Sequence, residues 1–233
     1  MRNSFLPTGL LVTLLTAGSS LAADTGTAAK GPNTKGNPKG SEPQASAVRD
    51  LSLAEQLAVY GYRTNDAIAL LASAQILKST PTKTSRATKT SAEKPRGKKA
   101  QAVDLTAEGV LAKARELAKG RKDLLAIADD VAGQTGRGDV NGPGCHRDAV
   151  DAHNKDRYSV VFQAEQSALV TVTGDGSTDV DLYVYDGSNH LICKDDDTTD
   201  DMVCRWTPAW TGKFLLEIVN LGNVYNDYLL CTN

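Results

Sequence analysis

The stretch Asp179-Val-Asp-Leu-Tyr-Val-Tyr-Asp186 decides the fold of the C-terminal part of the chain. Side chains of a strand alternate between its two faces, so Val180, Leu182 and Val184 fill one face and the aspartates and tyrosines lie on the other. The same period of two recurs along the chain and predicts short strands over residues 158–162, 168–173, 180–185, 191–194, 202–206, 214–220 and 228–232. Closely spaced short strands indicate an antiparallel β-sandwich with jelly-roll character over residues 139–233.

The chain before residue 139 has a helical pattern instead. Apolar side chains recur at helical spacing over residues 50–78 and 103–133, with Gly61 and Gly120 as breaks. Each stretch is predicted to form a helical hairpin. Ser52 and Glu55 match a capping box at the start of the first hairpin, and Thr64 or Asn65 is a candidate cap for its second helix.

One hairpin cannot bury its apolar face alone, so the two hairpins are predicted to pack together as a small bundle. The predicted fold class is therefore α+β, with a small helical-hairpin bundle followed by an antiparallel β-sandwich.

Two segments lack the large apolar side chains that a core needs. Residues 23–49 are rich in Gly, Pro, Lys, Thr and Ser, and residues 79–102 carry a run of Lys and Arg. Both are predicted to be disordered linkers. The simplest interpretation of the basic linker is a solvated spacer; the alternatives are folding back on the acidic sandwich and contact with an anionic envelope surface.

Residues 1–22 have the pattern of a secretory signal. Arg2 supplies the charged start, an apolar run follows, and small residues precede a cleavage site after Ala22. The apolar run is too short for a membrane span. We therefore expect a periplasmic or extracellular protein that has no membrane span after cleavage.

The four cysteines agree with export. An even number of cysteines in an oxidising compartment indicates disulfides, and the spacing lacks the Cys-x-x-Cys pair of most structural zinc sites. Four cysteines allow three pairings. We favour Cys193–Cys204, which flank one loop, and Cys145–Cys231, which join the start of the sandwich to its end.

An acidic cluster is the candidate metal site. Asp179 and Asp181 on one strand and Asp195, Asp196 and Asp197 in the next loop are carboxylates of the kind that calcium prefers. The spacing matches no EF-hand loop. A calcium site requires the loop to fold over the strand; the alternative is a solvated loop.

Trp206 and Trp210 are a candidate aromatic binding surface. Two tryptophans near a turn are suited to stacking on a sugar ring or a peptide. The alternative is that they cap one end of the sandwich.

Three elements of the sandwich resemble the bacterial pre-peptidase C-terminal (PPC) domain family. They are Gly174-Asp-Gly-Ser-Thr-Asp-Val-Asp-Leu-Tyr-Val-Tyr-Asp186, Trp210-Thr-Gly-Lys-Phe-Leu-Leu-Glu-Ile-Val-Asn220 and Asn226-Asp-Tyr-Leu-Leu230. The resemblance implies a jelly-roll-like sandwich, and domains related to this family bind calcium or extracellular polymers such as collagen. The module usually follows a secreted peptidase, whereas helices precede it here, and the cysteine pair around the acidic loop is not a general feature of the family.

The motif content favours a binding protein over an enzyme. The sequence has no Gly-x-Ser-x-Gly and no His-Glu-x-x-His motif. The acidic sandwich and the lack of aromatics in the basic linker disfavour nucleic acid as a partner. We therefore expect an exported, non-catalytic protein that contacts an envelope or extracellular polymer or a protein, with calcium as a candidate cofactor. The alternatives are a protein-interaction role for the helical unit and a small secreted hydrolase.

Overall fold

The computed structural model describes residues 31–35, 43–91, 103–134 and 142–233. The signal predicted over residues 1–22 and parts of both predicted linkers lie outside the described residues.

The described residues contain four helices. They are α1 (Pro43–Thr64), α2 (Ala67–Ser79), α3 (Ala107–Leu117) and α4 (Lys122–Gly133). Gly120, with φ of 86°, separates α3 from α4 as the sequence predicts. Helices α2, α3 and α4 share one apolar core with the end of α1, which we call the helical unit.

Two sequence expectations about the junction of α1 and α2 are wrong, namely the break at Gly61 and the cap of α2 at Thr64 or Asn65. Gly61 does not end the helix, because α1 continues to Thr64; a Cβ at Gly61 would lie 2.7 Å from Cγ of Leu70, so glycine serves close packing of α1 on α2. The cap of α2 is Asp66, whose Oδ1 accepts hydrogen bonds from the N–H groups of Ile68 (2.8 Å) and Ala69 (3.2 Å).

The capping box of Ser52 and Glu55 is also wrong, since α1 begins at Pro43, inside the segment predicted as a disordered linker over 23–49. Val48 and Leu51 give that early part of α1 an apolar face, which packs on Leu169 and Leu229 of the sandwich. Burial on a sheet supplies the stability that the isolated segment lacks.

The strands are β1 (Lys83–Thr84), β2 (Thr88–Lys89), β3 (Gly144–Val150), β4 (Lys155–Phe162), β5 (Ala168–Gly174), β6 (Val180–Asp186), β7 (Leu191–Asp195), β8 (Asp201–Trp206), β9 (Gly212–Asn220) and β10 (Asn226–Thr232). They form a first sheet of order β1-β3-β10-β5-β8 and a second sheet of order β2-β4-β9-β6-β7. All pairings are antiparallel except that of β1 with β3. Consecutive strands alternate between the sheets except β6 and β7, which pair as a hairpin in the second sheet, and such crossing between two sheets is typical of a jelly roll. The predicted α+β class is confirmed.

The basic linker predicted over 79–102 is partly folded. Strand β1 pairs with β3, and β2 pairs with Tyr158 and Ser159 of β4, so one linker crosses from one sheet to the other. The prediction of disorder is wrong for this part, because pairing with strand edges satisfies its backbone groups without any large apolar side chain.

Both favoured disulfides are confirmed. Cys145 pairs with Cys231 and joins the neighbouring strands β3 and β10. Cys193 pairs with Cys204 and joins β7 of the second sheet to β8 of the first. Such bonds persist in oxidising compartments and indicate an extracytoplasmic location. Of the helices in the described ranges, none combines the length and the hydropathy that a membrane span requires.

Candidate binding face on the second sheet

The outer face of the second sheet is the open surface of the sandwich, because the helices pack on the outer face of the first sheet. On β6, Asp181, Tyr183 and Tyr185 point outward, since the alternate residues of the strand fill the core. Both tyrosines are half-exposed, whereas Asp181 is buried by its neighbours. An antiparallel sheet that keeps one solvated face is free to use that face for recognition.

The register places a polar row around Tyr183. Glu217 of β9 lies on one side of Tyr183 and Lys194 of β7 on the other, and Arg157 of β4 lies beyond Glu217. Nε of Arg157 donates to Oε1 of Glu217 at 2.6 Å, and Nζ of Lys155 donates to Oε2 at 3.1 Å. Burial alone would raise the pKa of Glu217, but the hydrogen bonds from Arg157 and Lys155 hold this pKa below its usual value. Glu217 is therefore a fixed anion between two exposed cations.

An apolar row lies beside the polar row. Tyr185 has Leu215 of β9 on one side and Leu191 of β7 on the other. Leu191 is 48% exposed, and Leu215 is half-exposed. We call the two rows together (Arg157, Glu217, Tyr183 and Lys194; Leu215, Tyr185 and Leu191) the binding face.

The hydroxyl group of Tyr183 stays protonated on this face. It donates to Oδ2 of Asp181 at 3.3 Å. Burial, together with the charges of Asp181 and Asp196, raises the pKa of Tyr183 to about 12. Burial and the neighbouring Asp179 raise the pKa of Asp181. The face thus presents a neutral phenol ring between ionised side chains.

The structure does not bring the five predicted metal ligands around one point. Asp195 accepts from the N–H of Val203 at 2.8 Å, Asp196 pairs with Lys194 at 2.6 Å, and Asp197 accepts from the N–H of Thr199 at 2.7 Å. Oδ1 of Asp179 is buried without a hydrogen-bond partner among the described residues, but one such oxygen falls far short of the six to eight that calcium takes. In the ranges that the structure describes, no three His, Cys, Asp or Glu side chains form a group that could hold a metal ion. These residues therefore do not fit a calcium cage.

The two tryptophans have different surroundings. Trp206 is 2% exposed and packs edge-on against Phe162 at 4.8 Å between ring centroids, so its role as a binding surface is wrong and it belongs to the core. Trp210 is half-exposed in the connection from β8 to β9. Its backbone N–H and its carbonyl oxygen both form hydrogen bonds with the side chain of Asn33.

Two clefts border the seam between the helical unit and the first sheet, with volumes of about 470 and 490 Å³. Arg147 and Thr106 line both clefts. The guanidinium of Arg147 is already committed to Glu55 and to the carbonyl oxygen of Leu105. The clefts therefore follow from how the helices pack on the first sheet, and the guanidinium that lines both is already paired.

The sequence located the tyrosines of the binding face but missed their partners. Alternation along β6 is enough to place Tyr183 and Tyr185 on the outer face. Glu217 and Arg157 belong to strands far away in the sequence, and they reach the tyrosines only through the strand order β4-β9-β6-β7. A local pattern carries no signal for that order.

No family model and no curated protein matches this chain. Among solved structures, the chain is similar to the pre-peptidase C-terminal domain of collagenase from Bacillus anthracis, with 12% identity and a TM-score of 0.33 over 38% of this chain and 87% of that one. It is similar to PliG, a periplasmic inhibitor of g-type lysozyme from Aeromonas hydrophila, with 14% identity and a TM-score of 0.31 over 39% of this chain and 84% of that one. It is also similar to the mitogen from Yersinia pseudotuberculosis, with 12% identity and a TM-score of 0.30 over 40% of this chain and 85% of that one. Likenesses this distant say nothing about a ligand, and the sandwich is established by the two sheets of the chain itself.

Proposed function

We propose that this protein is an exported, non-catalytic binding protein whose binding face holds an envelope or extracellular polymer, with a glycan as the preferred ligand class. The observation that carries the proposal is the pair of parallel rows on the second sheet. One row fixes charged and hydrogen-bonding groups around Tyr183, and the other offers the ring of Tyr185 between two leucines.

The chemistry of the two rows suits a sugar chain. A sugar ring has an apolar face and a rim of hydroxyl groups, and tyrosine offers an apolar ring with a polar tip. The ion pairs between Glu217 and its neighbours hold their polar atoms in place before a ligand arrives. The face is an open sheet, whereas sites for small molecules are usually concave. An extended polymer lying across the strands uses such a surface best.

Two sequence observations support export and a binding role. The chain begins with a secretory pattern, and its sandwich resembles PPC domains, relatives of which bind extracellular polymers. Calcium is not part of the proposal, because the predicted ligands do not converge.

A protein-docking role for the helical unit is the second candidate. Leu53 and Tyr60 lie seven residues apart on one face of α1 and are 47% and 45% exposed, and Ile68 of α2 is 62% exposed. Apolar side chains in such positions favour contact with another protein.

Co-sedimentation with purified peptidoglycan sacculi, and with insoluble extracellular glycans, tests the proposal. We expect the wild-type chain to be retained and Tyr183→Ala and Tyr185→Ala each to weaken retention about tenfold, a change of about 1.4 kcal/mol. Tyr60→Ala is the matched control, since it removes an exposed tyrosine from the helical unit. Retention that survives both sheet variants, or that only Tyr60→Ala abolishes, contradicts the proposal. The same assay with and without millimolar calcium tests the cofactor predicted from the sequence.

A further inference from the structure

Residues 31–35 lie against one end of the sandwich and bend at Asn33, where the N–H of Thr34 donates to the carbonyl oxygen of Pro32 at 2.8 Å. Asn33 is 1% exposed. Its side-chain Nδ2 donates to the carbonyl oxygen of Trp210 at 2.9 Å, and its Oδ1 accepts from the N–H of Trp210 at 2.9 Å. The amide of one side chain thus pairs with both backbone groups of one residue, as a neighbouring strand would.

A buried carboxylate completes the contact. The backbone N–H of Asn33 donates to Oδ2 of Asp186 at 2.9 Å, and Asp186 is 4% exposed. The other oxygen of Asp186 accepts from the N–H groups of Ser188 and His190, each at 2.9 Å. The turn between β6 and β7 therefore holds the carboxylate in place by contacts that do not involve the segment.

Lys35 makes two further contacts, and neither depends strongly on the identity of its side chain. The N–H of Lys35 donates to the carbonyl oxygen of Thr207 at 2.8 Å. The ammonium of Lys35 pairs with Glu165, but both side chains are more than half exposed, and exposed pairs contribute little. Asn33 therefore contributes more discrimination than Lys35 does.

The geometry selects asparagine over its closest analogues. Aspartate has no donor for the carbonyl oxygen of Trp210 and would bring a second carboxylate toward Asp186. Alanine would leave both backbone groups of Trp210 without this partner. Gly212 leaves room for the amide, since a Cβ there would lie 3.3 Å from Nδ2 of Asn33.

We infer that the end of the sandwich formed by Asp186, Thr207, Trp210 and Gly212 is a peptide-recognition site that reads an asparagine. Its occupant is the chain's own segment 31–35, bound as a ligand in cis. The site is separate from the binding face, so it can fail or hold independently of the proposed function.

A peptide titration tests the inference. The host is the full chain carrying Asn33→Ala and Lys35→Ala, and the probe is a synthetic peptide of residues 29–37. We expect saturable binding to this variant by isothermal titration calorimetry, at least about tenfold weaker binding of the same peptide with Asn→Asp, and at least about tenfold weaker binding to the wild-type chain, whose own segment competes. A folded variant that binds neither peptide, or that binds both equally, overturns the inference.

Hydrogen exchange in the wild-type chain gives a second test that needs no variant. A segment bound as a ligand leaves without global unfolding, so we expect the amides of Asn33 and Lys35 to exchange together and at least about tenfold faster than those of Leu182 and Val184 in β6. Exchange of all four amides at one common rate would mean that the segment is an integral part of the fold, and the inference would then be wrong.

Discussion

Glu55 of α1 and Arg147 of β3 form an ion pair that links a helix to the first sheet. The side chain of Glu55 is fully buried on α1, and that of Arg147 on β3 is 35% exposed. Nη1 of Arg147 donates to Oε2 of Glu55 at 3.0 Å, and Nη2 pairs with the other carboxylate oxygen. Burial raises the pKa of Glu55, and Arg147 opposes that shift. The pair stabilises the contact between α1 and β3 only when both partners are present, because without Arg147 the buried carboxylate of Glu55 has no opposite charge.

Removing the arginine alone should be costly near neutral pH. Arg147→Ala leaves a buried, unpaired carboxylate, and we expect a loss of about 3 kcal/mol in the free energy of unfolding, at the low end for buried pairs because the guanidinium is partly exposed. Because the pKa of Glu55 is higher in the folded state than in the unfolded state, protonated Glu55 favours the folded state below the unfolded-state pKa. That stability is lost as the pH rises through the folded-state pKa of Glu55. The cost of Arg147→Ala should therefore shrink toward about pH 4, which urea unfolding at both pH values measures.

The double variant Glu55→Gln/Arg147→Ala is the control for this prediction. It removes the carboxylate charge that Arg147→Ala leaves unpaired in the interior, so it should recover part of the lost stability at neutral pH. A double variant that is less stable than Arg147→Ala at neutral pH contradicts the explanation.

At the scale of elements, the strand edges of the sandwich are closed by short pieces of chain. Strands β1 and β2 cover the edges of β3 and β4, and the bond between Cys193 and Cys204 ties β7 to β8 on the other side. Exposed edges invite pairing with other chains, so such covers protect the sandwich from edge-to-edge association. The described part of the basic linker, residues 79–91, therefore folds back on the acidic domain, which is one of the two alternatives to a solvated spacer.

Lys89 anchors this cover between the two sheets. Its ammonium lies 2.7 Å from Oδ2 of Asp148 on β3 and 3.0 Å from Oδ2 of Asp156 on β4. Tyr158 donates to Asp148 and Tyr228 donates to Asp156, so one cation and two phenols satisfy two nearly buried carboxylates. Burial opposes the charge of Asp148, but hydrogen bonds from Lys89 and Tyr158 hold its pKa below the usual value.

Lys89→Met should loosen the cover and lower stability at neutral pH. We expect a loss of about 2 kcal/mol, because two carboxylates lose a charged partner. The pKa of Asp148 is lower in the folded state than in the unfolded state, so ionised Asp148 stabilises the wild-type fold above the unfolded-state pKa, and this stability is lost as the pH falls through the folded-state pKa. The difference in the free energy of unfolding between the variant and the wild-type chain should therefore narrow below about pH 4. Thermal melts across that pH range and trypsin cleavage after Arg86, expected to be faster in the variant, measure both effects.

Lys122→Met, which removes an exposed lysine from α4, is the matched control for Lys89→Met. Unchanged cleavage after Arg86 in Lys89→Met would show that the ion pairs do not hold the cover.

The sequence predicts elements whose stability is local and misses those that depend on partners far away. Strand β6 follows from its alternation, and the bond between Cys193 and Cys204 follows from their positions on the two sides of one loop. Strand β3 does not show this alternation, because its consecutive polar residues Arg147 and Asp148 form ion pairs with Glu55 of α1 and Lys89 of β2. The same holds for the binding face. The positions of Tyr183 and Tyr185 could be predicted from the alternation along β6, whereas Glu217 belongs to another strand and could not be predicted to lie beside them.

At the scale of the whole molecule, the helices and the sandwich share apolar surface. Val48 and Leu51 of α1 pack on Leu169 of β5 and Leu229 of β10, so these two strands of the first sheet are buried on both faces. The oxygen of Ser52 lies 2.9 Å from that of Thr173 in the same interface. Two halves that share a core lose stability together, so the described fold should unfold as one cooperative unit.

Leu51→Ala tests this cooperativity. Leu51 is 2% exposed, and its truncation should cost about 3 kcal/mol, which for a protein of this size lowers the melting temperature by about 6–12 °C. Helical circular dichroism reports on the helical unit, and tryptophan fluorescence reports on the sandwich, which contains both tryptophans. We expect the two signals to change at one midpoint in the wild-type chain and to shift together in the variant. Leu53→Ala, on the same helix but 47% exposed, should leave both midpoints unchanged. A helical signal that melts early while the fluorescence transition keeps its wild-type midpoint would mean that α1 is an attachment to the sandwich and that the sandwich folds without it.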